Sequence, residues 1–201
     1  MSAATQTAAI LPYRSLHARD DATAWIGMLI FLGSWAMLFA AFFFSYGILR
    51  ARMDAWPPPG TPPLPRLLPA ANTLVIAVSS VALERALFCA RRGKLASVLP
   101  GILAALALGT LFVGLQLLLW TGLWKAGLRP SDGPYASVFY ALTALHAAHV
   151  AVGMLGLGYC AIRANAGAFT PVRHVGLRLW RAYWHFVGGV WLLLFLTVFV
   201  L

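Results

Sequence analysis

The sequence predicts an all-α fold, a polytopic membrane protein built as a bundle of five transmembrane helices. Three observations carry this: five long apolar stretches, 61% hydrophobic against 10% charged residues, and charges gathered mostly in the gaps between stretches. With a mean hydropathy of +0.81 the chain has too little polar material to clothe a soluble globule.

The elements follow in order. Residues 25–49 carry no charge, and at about 1.5 Å per residue they cross an apolar core of about 30 Å with length to spare. Further spans are expected over residues 70–90, 95–124, 135–162 and 182–201. Residues 1–24 read as a cytoplasmic N-terminal segment, and residues 25–201 as one five-helix membrane domain without internal repeat. No compact apolar core of a signal peptide precedes Trp25, so no cleaved leader is expected.

Charge sets the expected orientation. Arg14, Arg19, Arg91, Arg92, Lys94, Arg163, Arg173, Arg178 and Arg181 fall on one side, and Arg50, Arg52, Arg66, Lys125 and Arg129 on the other. The positive-inside rule then puts the N-terminus in the cytoplasm and the C-terminus outside. Glu84 and Arg85 stand near the inner end of the second span, where long side chains reach the interface. The net charge of +10 comes with no basic run interleaved with stacking aromatics, so nucleic acid is not an expected partner.

Residues 56–69, WPPPGTPPLPRLLP, hold seven prolines. Proline removes backbone donors and fixes φ, so this loop reads as a stiff extended strip, either a connector or a docking strip for a neighbouring subunit. Cys89 and Cys160 lie near the ends of different spans and read as buried free thiols.

The polar residues within the spans are the candidate site. His146 and His149 are three apart on one helical face of the fourth span, and His185 lies in the fifth. Metal or haem ligation, proton relay and hydrogen bonding between helices could each use them; spacing favours the last, because no paired cysteine or deep carboxylate accompanies them. The centres of all five spans lack Asp, Glu, Lys and Arg, which argues against an ion-coupled carrier or a charged-ring channel. The residues alone lead to a membrane protein without a catalytic constellation, fitted to be one subunit of a larger assembly.

The ordered set of motifs resembles subunit III of the haem-copper respiratory oxidases, most closely the cytochrome c oxidase branch. It runs from Gly27 and FLGS before Phe42–Phe44, through Trp56-Pro57-Pro58, Asn72-Thr73, Ser79-Ser80, Gly114 and Gln116, to Ser131-Asp132-Gly133 with Tyr135. Phe139-Tyr140, Thr143, His146, His149-Val150 and Gly153 follow, then Tyr183-Trp184-His185-Phe186-Val187 with Trp191. The chain looks like the short bacterial form, with five spans instead of seven.

The resemblance implies a non-catalytic, multi-pass subunit of the bacterial inner membrane in aerobic electron transport. Its main partner would be the catalytic subunit I, beside subunit II and small accessory subunits, with phospholipid bound between helices. Haems and copper would belong to partner subunits and none to this chain, so the resemblance makes His146, His149 and His185 structural hydrogen-bonding groups. Arg163 aligns with an arginine that contacts lipid phosphate in the family. Three acidic positions typical of the family are replaced here by Trp35, Leu119 and Gly188, none of which exchanges a proton. An accessory protein of a nitric oxide reductase, a subunit III of a quinol oxidase, and a stand-alone metal-binding or transport protein are the rival readings.

Overall fold

A computed structural model describes residues 3–201, with side chains from Asp21 onward. The helices are α1 (Ala3–Arg52), α2 (Leu67–Arg91), α3 (Val98–Lys125), α4 (Pro134–Asn165) and α5 (Val175–Leu194), and α5 continues as a π-helical turn through Val200. Each holds a stretch long and apolar enough to cross a membrane; in α1 it is Asp21–Arg52. No strand occurs among the described residues. The side chains of Arg14 and Arg19 lie outside the described ones.

Helices α2, α3, α4 and α5 form a closed ring of neighbours, and α1 packs outside the ring against α4 and α5. One end of the bundle carries the proline-rich loop and the 126–133 connection. The opposite end carries the arginine-rich connections 92–94 and 166–174.

The fifth span starts earlier than expected, at Val175 rather than near residue 182. Arg178 and Arg181 read as loop charges, yet both sit on helix α5 with partners beside them. The Arg178 guanidinium lies 5.3 Å from the Trp25 ring centroid, and Arg181 pairs with Glu84 at 3.1 Å. Long cationic side chains near a helix end can bury their stems and place their heads at the interface. Helix α2 likewise starts at Leu67, with Pro69 in its first turn, where its missing N–H interrupts no intrahelical bond.

Trp184 is fully buried at the centre of the ring, wedged between α3 and α4. A Cβ at Gly109 would come within 2.8 Å of its ring, and a Cβ at Gly153 within 2.9 Å. Those two positions lack side chains because the indole fills the space. Without a hydrophobic drive between helices in lipid, such close packing and interhelical hydrogen bonds hold the bundle.

The loop after α1 is seated by one residue. Trp56 inserts edge-on between Tyr46 of α1, at 5.2 Å, and Tyr135 of α4, at 4.9 Å. Pro57, Pro59, Pro63 and Pro65 remain exposed. The start of α4 is tied to its own connection. Ser137 Oγ donates to the Pro130 carbonyl at 2.7 Å, and Tyr140 Oη donates to that of Leu128 at 2.8 Å.

Candidate functional site

The inward face of α4 brings His146 and His149 together in the core, at 1% and 3% exposure. The three histidines behave differently. His146 sits among Phe39, Phe112 and Trp191, with ring centroids 6.4, 5.8 and 5.4 Å away, and neither of its nitrogens meets a hydrogen-bond partner. His149 Nδ1 donates to the Leu145 carbonyl of its own helix at 2.6 Å, which fixes the proton on that nitrogen, while Nε2 is unpartnered. Its ring stands edge-on to Trp35 of α1 at 4.0 Å.

His185 is remote from the other two. Its Nε2 lies 2.8 Å from Glu84 Oε1, across the α2–α5 boundary. Arg181 Nη1 approaches both oxygens of the same carboxylate, at 3.1 and 3.3 Å. Glu84, expected with Arg85 near the inner end of the second span, pairs there with two residues of α5.

Most of the side-chain hydrogen bonds between helices come from other residues. Trp184 Nε1 donates to Ser79 Oγ at 3.0 Å, and Ser79 in turn donates to the Ala105 carbonyl at 3.1 Å, so one hydroxyl joins α5, α2 and α3. Trp191 Nε1 donates to Thr73 Oγ1 at 3.1 Å, and Trp120 Nε1 to Thr143 Oγ1 at 3.2 Å. Tyr183 Oη donates to the His149 backbone carbonyl at 3.0 Å. Sequence reasoning missed these pairs, although an indole N–H inside a span always needs an acceptor and a helical Ser or Thr is the nearest kind available.

Among the described residues, no group of three or more His, Cys, Asp or Glu side chains is placed to hold a metal ion. Trp35 occupies its position as the aromatic partner of His149, and Leu119 is buried core. Gly188 lines a shallow groove between α2 and α5 with Ile76, Ala77, Ser80 and His185. Arg163 is exposed in the last turn of α4, and its Nη1 donates to Tyr159 Oη at 3.2 Å. Cys160 is a buried free thiol and Cys89 a half-buried one.

The family model for cytochrome c oxidase subunit III matches residues 15–201. The chain belongs to the cytochrome c oxidase subunit III family. The cytochrome c oxidase subunit 3 of the cyanobacterium Synechocystis sp. is 33% identical over 176 residues, covering 87% of this chain and 74% of that protein. The subunit 3 proteins of Marchantia polymorpha and Loxodonta africana are each 34% identical over 179 residues, covering 86% of this chain. The alignments take in 66% and 67% of those two relatives, so this chain spans about two thirds of their length. As a subunit family, its members act within a multi-subunit oxidase complex. The interhelical hydrogen-bond set is therefore the internal frame of a subunit III bundle.

Proposed function

We propose that this chain is the non-catalytic subunit III of a haem-copper cytochrome c oxidase, where it stabilises the catalytic subunit I and binds phospholipid. Family membership over nearly the whole chain carries the reading. Haems and copper then reside in subunits I and II, and small accessory subunits complete the assembly. The chain is multi-pass in a bacterial inner membrane, with its arginine-rich end cytoplasmic and its C-terminus outside. The largely exposed surface of α1, with Ile30, Met37 and Phe44 each at least two-thirds exposed, offers area for a neighbouring subunit. Arg163, exposed at the arginine-rich end, suits an anionic headgroup, which a guanidinium grips through two parallel hydrogen bonds.

One observation favours a second reading, an accessory protein of a nitric oxide reductase. Trp35, Leu119 and Gly188 stand at the three positions where the family typically carries acids, so this chain brings no carboxylate there for coupled proton uptake. Tagging the chain, extracting it gently from its native membrane, and recording the co-purifying proteins and the reduced-minus-oxidised spectrum decides between them. A haem-copper catalytic subunit that reduces oxygen supports the first reading. Nitric oxide reduction supports the second, and recovery of the chain alone without haem removes both.

A further inference from the structure

Three buried side chains have no hydrogen-bond partner for any of their nitrogens and oxygens: Asn72 of α2, Gln116 of α3 and His146 of α4, at 0%, 2% and 1% exposure. Packing register places them around one pair of rings. The Ser79–Ala105 and Trp184–Ser79 bonds fix α3 and α5 against α2, so two turns further along α2 Asn72 lies level with Phe112 and Trp191, which touch at 4.8 Å. Thr73, next to Asn72, binds the Trp191 indole. The Trp120–Thr143 bond fixes α3 against α4, which puts Gln116, one turn before Trp120, at the level of His146. His146 in turn touches both Phe112 and Trp191.

The rings around His146 cannot satisfy its nitrogens. Phe39, Phe112 and the face of Trp191 offer no conventional donor or acceptor, and the Trp191 N–H is already engaged by Thr73. Inside a membrane no bulk solvent compensates, and a buried amide left bare is among the costlier features a bundle can carry. An amide presents both donor and acceptor, and a neutral imidazole presents one of each, so the three side chains together match the two to four hydrogen bonds that an internal water molecule makes.

We propose that Asn72, Gln116 and His146 hold internal water, a polar layer around the Phe112–Trp191 pair that links α2, α3 and α4 in the half of the bundle nearer the proline-rich loop. His149 Nε2, likewise buried without a partner, continues this polar face one turn along α4. The layer binds water. It is independent of which oxidase the chain serves.

The test is water-edited solid-state NMR on the isotopically labelled chain in its native membrane assembly. Polarisation from water is expected to reach the His146 ring nitrogens and the Gln116 amide directly, and to be lost at His146 in Gln116→Leu. Transfer to His146 only through the Gln116 amide, the mark of a direct side-chain bond, overturns the proposal. So does a His146 signal with no water transfer. If Gln116→Leu does not assemble, the wild-type spectrum decides alone.

Discussion

Glu84 Oε1 lies 2.8 Å from His185 Nε2, joining residues 101 apart in the chain across the α2–α5 boundary. Arg181 shares the carboxylate, so a single acid on α2 holds two successive turns of α5. Glu84→Ala should therefore loosen that boundary. The expected loss is about 1 kcal/mol, in the range of interhelical polar contacts within membranes. A double-mutant cycle with His185→Ala, read by unfolding in detergent, should return a coupling energy of the same order; additive losses would show that the two side chains are merely adjacent.

Gly153 faces Trp184 and Tyr183 with no room for a methyl group, whereas Gly158 on the same helix has nothing within 4 Å. Gly153→Ala should displace the Trp184 indole from Ser79 and cost about 1–3 kcal/mol, the usual penalty of overpacking. Gly158→Ala should be neutral or stabilising, since alanine is the better helix former. Thermal stability of the two variants in the same detergent checks the contrast, and equal losses would contradict the packing described.

The proline-rich loop depends on Trp56. Each of its edge-on contacts with Tyr46 and Tyr135 is of a kind worth roughly 0.5–1.5 kcal/mol beyond area burial. Trp56→Ala should release the loop, and limited trypsin digestion should then cleave after Arg52 and Arg66 many times faster than in the unaltered protein. Unchanged cleavage would mean that the prolines alone hold the strip.

If Arg163 grips a headgroup, Arg163→Leu should lower the anionic phospholipid that survives purification, while Arg163→Lys should retain part of it, because an ammonium keeps the charge but not the fork. Mass spectrometry of lipid per chain measures both. Equal lipid in all three would leave Arg163 as a topology charge.

Much of this architecture was legible because hydrocarbon imposes length and polarity together. The five runs announced themselves, and the three-residue spacing of His146 and His149 placed both on one face that proved buried. What meets that face was not legible. Trp35 and Phe39 arrive from α1, more than a hundred residues away, and no local pattern in α4 encodes their register. The start of α5 was missed for a related reason. Arg178 and Arg181 look like loop residues until Trp25 and Glu84 are seen beside them. The indole pairs to Ser79, Thr73 and Thr143 join residues 23 to 118 apart, so only the packed bundle reveals them.

His149 holds α1 to the ring, with Trp35 at 4.0 Å and Phe39 at 4.9 Å from its centroid. Because α1 otherwise exposes most of its surface, loss of this contact should act on α1 more than on the four-helix ring. His149→Leu removes the imidazole but keeps an apolar side chain of similar reach, and should destabilise by about 1–2 kcal/mol, partly by losing the ring contact. Disulfide or spin-label distances between α1 and α4 should broaden while those between α2 and α3 stay sharp. Under the proposed role the variant should also yield less assembled oxidase with an unaltered haem spectrum, because the imidazole packs against rings and binds no haem. A shifted or missing haem band in intact complex would instead make His149 a ligand and overturn its structural assignment.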